Sequence, residues 1–173
     1  MFNNAIQYEA GHEYVDLGLS VKWATCNIGA ETPDGYGYRF ILGNHKTQGY
    51  DLANTRWQGK WRMPTVEEFE ELLDNCSWQW EEHDEIRGIR FTSTKPGFES
   101  NSIFLRASGL FDIDDDGLYE YGMYRTANLS TNEASQSQHA QILTFEKGLS
   151  RKGELLFISD SYYPWACVRP VFS

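Results

Sequence analysis

The residues best suited to chemistry in this 173-residue chain form an acidic run, Asp112-Ile113-Asp114-Asp115-Asp116-Gly117. Carboxylates at alternate positions converge on a hard cation, and the glycine makes the bend that such a loop needs. Asp112, Asp114 and Asp116 are therefore candidate calcium ligands. Glu120 falls at the ninth position of the loop, from which it can act through water, but the twelfth, where a bidentate Glu belongs, is Met123. The other reading is a solvated acidic turn, with no cofactor at all. A second candidate follows in the chain: Tyr119, Tyr121 and, after an expected break in register at Gly122–Met123, Tyr124, then Arg125 and Asn128. Tyrosine offers rigid contact area with a hydroxyl handle, and arginine and asparagine add directional hydrogen bonds, so these five predict a face that binds a glycan or a protein. The competing reading has Tyr119 and Tyr121 covering the core of a sheet, as alternation in a strand allows.

Catalysis is less well served. His12, His45, His83 and His139 are scattered, with no HxxxH, HExxH or nucleophile-elbow context, so spacing nominates no metal triad and no Ser-His-Asp set. Cys26, Cys76 and Cys167 lie 50 and 91 residues apart, which suits neither a metal knuckle nor a dense disulfide framework. Each has apolar or aromatic neighbours, the setting of a thiol buried as a small hydrophobe. A glycosidase would need two carboxylates across a cleft, which sequence alone does not place. The chain is read as non-catalytic, with an enzyme of unknown chemistry as an alternative.

The charge balance narrows the partners. With 15 Lys+Arg against 25 Asp+Glu the chain carries a formal charge of -10, the wrong sign for a nucleic-acid surface. No apolar run approaches the roughly 18 residues of a membrane span, and the first residues lack the pattern of a secretory signal. The 10 Tyr, 10 Phe and 6 Trp favour strands and a folded core.

The elements that must position these groups point to an α+β domain. Residues 1–12 have little periodicity and read as an N-terminal tail, leaving a single domain over 13–173. Val15, Leu17, Leu19, Val21 and Trp23 alternate as a strand or strand pair would, with Gly18 allowing a bulge or tight bend. The segment from Gly29 to Gly49 is turn-rich and holds at most a short strand at Tyr38–Leu42. One main helix is predicted over about 66–75. Thr65 and Glu68 have capping-box spacing, and Phe69, Leu72, Leu73 and Cys76 make one buried stripe. A shorter helix is expected at about 52–58. Beyond Trp80 strands dominate: Ile86–Ser93, Ser102–Arg106, Leu118–Thr126, Ala140–Glu146, Glu154–Ser159 and Trp165–Val171. Trp57, Trp61, Trp78 and Trp80 read as packing around the helix, and the polar run Asn128–Gln138 as a surface loop.

Three blocks taken together carry a resemblance: residues 14–30 (YVDLGLSVKWATCNIGA), Trp61-Arg62-Met63-Pro64-Thr65 with Glu68-Phe69, and Val168-Arg169-Pro170-Val171. In this order, over positions 14 to 171, the chain resembles the Fibrobacter succinogenes major paralogous domain, a family abundant in gut Bacteroidetes. The central block also resembles the helix start of formylglycine-generating-enzyme-like domains. The resemblance implies a C-type-lectin-like α+β fold, mixed or antiparallel in its sheets, at a cell surface or secreted, with no established catalytic role. The chain departs from the family after Gly122, where Met123-Tyr124-Arg125-Thr126-Ala127 replaces a Tyr-Trp-Ser-Ser-like strand. It also lacks the Glu-Pro-Asn, Gln-Pro-Asp and Trp-Asn-Asp motifs of calcium-bridged sugar recognition, and the paired late cysteines of the formylglycine-generating enzymes. The expected function is a non-catalytic binding module that presents late loops to a glycan or protein at a bacterial surface. An alternative is the variable receptor-binding protein of a phage or diversity-generating retroelement, whose fold is the same and whose variable positions have the tyrosine-, asparagine- and serine-rich composition of residues 119–138 and 159–163.

Overall fold

The computed structural model describes residues 6–41, 51–108, 120–131, 138–148, 156–159 and 165–173. Its architecture is mostly antiparallel β-sheet with two short helices. Strands β1 (Gln7–Glu9), β2 (His12–Val15), β3 (Lys22–Ala24) and β12 (Val171–Phe172) form one sheet in the order β1-β2-β3-β12. β5 (Cys76–His83), β6 (Ile86–Ser93) and β7 (Ser102–Arg106) form a meander. β8 (Tyr121–Thr131), β9 (Gln138–Glu146) and β10 (Leu156–Ser159) form a third sheet, while β4 (Phe40–Ile41) pairs with β11 (Trp165–Ala166).

Helix α2 (Val66–Asn75) begins where the cap chemistry requires. The Thr65 hydroxyl accepts from the Glu68 amide at 3.2 Å, and the Glu68 carboxylate accepts from the Thr65 amide at 2.9 Å. Glu68 also pairs with Arg62, whose guanidinium is held above its ordinary pKa chiefly by that hydrogen bond. Phe69, Leu72 and Leu73 are buried against Trp23, Phe91, Leu105 and Leu143, in a core that touches three sheets. Cys76 completes the stripe as the first residue of β5, because the chain passes from helix to strand without a connecting loop. The shorter helix α1 is Leu52–Trp57, capped by the Asp51 carboxylate.

The alternation from Val15 to Trp23 resolves into a strand pair. Tyr14 faces Ala24 and Val15 faces Trp23 across β2 and β3, with Leu17, Leu19 and Val21 buried in the bend between them. Gly18 turns this bend at φ +71°, its amide held by Asp16 Oδ1 at 2.8 Å, and the ring of Phe98 lies so close that a Cβ there would be 2.6 Å from it. Two expectations need correction. Residues 7–9 are a strand paired with β2 rather than part of a tail, since Gln7, Tyr8 and Glu9 register against Tyr14, Glu13 and His12. The start of the polar run Asn128–Gln138 belongs to β8, with Leu129, Ser130 and Thr131 registered against Ala140, His139 and Gln138; residues 132–137 lie outside the described residues.

The blocks that carry the resemblance meet in one place. Val171 pairs with Trp23 and exchanges both backbone hydrogen bonds with Arg62. Arg169 is fully buried and donates to Asn27 Oδ1 (2.8 Å), Ala24 O (3.2 Å), Thr25 O (2.7 Å) and Phe104 O (2.9 Å). A buried cation without this many acceptors would be prohibitive. Burial still pulls its pKa below the ordinary arginine value.

Candidate functional site

Residues 122–126 of the tyrosine-rich segment are interior. In β8 the pairing runs in unbroken register from Tyr121 opposite Glu146 to Arg125 opposite Ile142, so there is no slip at Gly122–Met123. Side chains therefore alternate strictly between two faces, and both faces are covered. Met123 packs with Ala140, Ile142 and Ala166 on one side, and Tyr124 with Leu143 and Phe145 on the other. Tyr124 is 0% exposed and its ring stacks on Phe145 at 5.9 Å. Its hydroxyl donates to Arg106 O at 3.0 Å and accepts from Asn27 Nδ2 at 3.3 Å, and burial raises its pKa. Arg125 is 4% exposed. Both are thus corrected from ligand contacts to core residues, and the reason is a strand packed on two sides.

Asn128 sits in the β-bulge between Arg125 and Leu129, half-buried, with its Oδ1 accepting from the Val66 amide at 2.9 Å. It fastens β8 to the start of α2 alongside the Ala127 amide, which donates to Pro64 O. Tyr121 is half-buried. Tyr119 and the proposed calcium ligands Asp112, Asp114 and Asp116 lie outside the described residues. Among the described residues no three His, Cys, Asp or Glu side chains converge as a metal site.

Cys76, Cys167 and His12 are held in structural roles, whereas Cys26, expected to be buried, is a half-buried free thiol. Cys76 is buried, and its thiol is pushed up to about 11 by burial, with the Glu71 charge adding to it. Cys167 is buried and contacts Ser108 Oγ at 3.2 Å and Tyr36 O at 3.4 Å, and burial raises its pKa. Thiolate is the nucleophilic form, so both positions suppress it. His12 stacks on Trp57 at 3.8 Å with its pKa lowered by burial.

Among the described residues, two clefts open on the flank where the β1–β2 hairpin meets the meander. The first, about 500 Å³, is lined by residues that include Glu13, Asp16, Thr25, Phe98, Asn101 and Ser102. The second, about 400 Å³, adjoins it across Thr25 and Ser102 and reaches Asp34, His83, Arg90 and Phe104. Each falls within the about 300–1,000 Å³ of small-molecule sites.

Long-range hydrogen bonds build the walls. Asn101 Nδ2 donates to Asp16 O at 2.7 Å, Ser93 Oγ to Leu17 O at 2.7 Å, and Thr25 N to Glu13 O at 3.1 Å. The Asp16 carboxylate is engaged by Lys22 and by the Gly18 amide. Arg90 is held by both Glu81 oxygens at 2.8 and 2.9 Å, reaches Ser102 Oγ at 3.4 Å and lies over the Phe104 ring at 5.3 Å. The Asp34 carboxyl is held below its ordinary pKa, first by a hydrogen bond from Thr32. Glu13 is half-buried, and no hydrogen bond or ion pair ties its carboxylate to another described residue.

The sequence reading passed over these residues. Their signal was slight: the turn Pro96-Gly97 carries an aromatic at Phe98, but Asp16 and Asn101 are 85 residues apart and only the fold unites them.

Comparison with known proteins returned no match among family models, curated proteins or solved structures. Among the described residues no helix is long and apolar enough to cross a membrane.

Proposed function

We propose that the chain is a non-catalytic binding module with a C-type-lectin-like fold, acting at a cell surface on a glycan or a protein. The observation that carries the reading is the contrast between the interior and the open flank. Tyr124, Arg125, Cys76, Cys167 and Arg169 are buried in the frame, while the two clefts keep polar and aromatic side chains facing solvent. A rigid frame with open polar recesses suits recognition better than chemistry, which needs an activated nucleophile or a base poised beside it. The lectin-like assignment is supported by the convergence of the three resembling blocks on Trp23, Arg62, Arg169 and Val171.

The test is to incubate the purified chain with a glycan array and with bacterial surface proteins, and to follow the retained species by mass spectrometry. Retention of a glycan or protein with unchanged mass is expected. A product formed only in the presence of the chain would overturn the non-catalytic assignment, and failure to retain any species would overturn the module itself.

A further inference from the structure

Resting on the binding-module reading, we propose that the two adjoining clefts are a binding site for an uncharged, linear oligosaccharide, seated with one sugar ring against Phe98 and its chain running past Thr25 and Ser102 toward Phe104. The ligand class follows from what the walls offer. Phe98 is half-buried on the floor made by Gly18, so the ring is backed by the bend and keeps area toward the first cleft. An aromatic surface of this kind takes the C–H face of a pyranose by apolar contact, and the hydroxyls at the rim then need hydrogen-bond partners. Glu13 supplies a carboxylate with no described partner, and charge-assisted bonds from hydroxyls are the stronger kind. Thr25 and Ser100 spend their hydroxyl protons on Glu13 O and Asn101 Oδ1 and present acceptor lone pairs, while Ser102 Oγ accepts from Arg90 and keeps a proton to donate.

Charge selects against the other polar ligands. The chain carries -10 overall, and the Glu13 carboxylate lines the first cleft with no partner among the described residues, so a phosphate or an acidic sugar meets repulsion there. The cation nearest the junction, Arg90, is occupied by Glu81. A lysine- or arginine-rich peptide would find in the first cleft one carboxylate, that of Glu13, with no partner among the described residues, because Asp16 is neutralised by Lys22. Hydroxyl groups, an aromatic ring and one carboxylate with no partner among the described residues match a neutral saccharide better than a cationic segment. The paired volumes, joined at Thr25 and Ser102, match a linear chain better than a single residue.

The experiment is an amide chemical-shift titration of the full chain with neutral cello-, manno- and xylo-oligosaccharides, alongside a sialylated oligosaccharide and an oligolysine peptide. A neutral oligosaccharide is expected to move the amides of 13–16 and 97–102. Phe98→Ala and Glu13→Gln are each expected to weaken it about tenfold or more, with Phe98→Trp retaining affinity. Glu13→Gln removes no described contact, so its melting temperature should match the parent and the loss can be read even if Phe98→Ala destabilises the bend. Shifts mapping away from both clefts would overturn the cleft assignment and leave the binding module standing. Binding of oligolysine or of the sialylated probe in place of the neutral ones would overturn the ligand class. Binding of no probe in any class overturns the saccharide site, and the surface-protein retention assay then decides the module separately.

Discussion

Replacing Arg169 by Met keeps most of the buried volume and removes a guanidinium with four hydrogen bonds, to Asn27 Oδ1 and to the carbonyls of Ala24, Thr25 and Phe104. Arg169, Asn27 and Ala24 are 0% exposed and Phe104 is 3% exposed, so water reaches only the half-buried Thr25 carbonyl among the lost partners. A buried acceptor left unpaired costs about 1–3 kcal/mol, while relief of the desolvated charge returns several kcal/mol. The expected net loss is about 3–5 kcal/mol, a large share of the roughly 5–15 kcal/mol that holds a domain folded. In a urea melt with a slope of about 2–3 kcal/mol/M, the midpoint should fall by about 1–2.5 M. Arg169→Lys should fall nearly as far, because a single ammonium does not span a planar fork of acceptors. A double-mutant cycle with Asn27→Ala should show coupling of about 0.5–3 kcal/mol, since Asn27 is the one side chain in the set. Midpoints matching the parent for both single variants would mean that the junction of the three sequence blocks is held by backbone pairing alone, and that the guanidinium contributes nothing to it.

Three further outcomes are expected. Thr65→Ala should lose about 0.5–2 kcal/mol by chemical melt, because the hydroxyl that caps the Glu68 amide is removed; coincident melts would mean the cap does not hold α2. Tyr124→Ala empties a fully buried ring site and should cost about 3–5 kcal/mol, lowering the melting temperature by about 6–20 °C for a chain of this size; an unchanged melt would return Tyr124 to the surface. His12 has its pKa lowered from 6.5 by burial, so the unfolded chain takes up the proton first; stability should be full above pH 6.5 and decline as pH falls below it toward the folded value, and His12→Phe, which keeps a ring on Trp57, should flatten that part of the profile in pH-dependent urea melts. An identical slope in the variant would assign the pH dependence to other groups.

The local elements were legible because their signals are local. The Thr65–Glu68 box and the stripe Phe69, Leu72, Leu73 each involve residues a turn or less apart, and the helix occupies 66–75 as that spacing predicts. Ile86–Ser93 and Ser102–Arg106 likewise match their runs of strand-forming side chains. The strand from Cys76 to His83 was missed, although Cys76, Trp78 and Trp80 alternate, because the helical stripe also claims Cys76 and the two periods overlap at that residue.

What the sequence did not determine was which side of a strand meets water. Tyr124-Arg125 next to a polar loop reads as surface, and alternation in a strand with one solvated face would allow it. The tertiary structure decides otherwise: β9 and Cys167 hydrogen-bond the two edges of β8, while Tyr124 is buried with α2 residues on one face and Met123 with Ala166 on the other, so the same tyrosine hydroxyl that suits a ligand instead bonds Asn27 and Arg106. The clefts were hidden for the converse reason. Glu13, Thr25, Phe98 and Ser102 come from separate turns and strands with no shared period, and no local rule joins them. Composition and short-range spacing determined which elements form, the charge and the absence of an obvious catalytic motif. Only the long-range pairing of Trp23 with Val171, and of Asn101 with Asp16, decided which polar groups are interior and which remain free to meet a ligand.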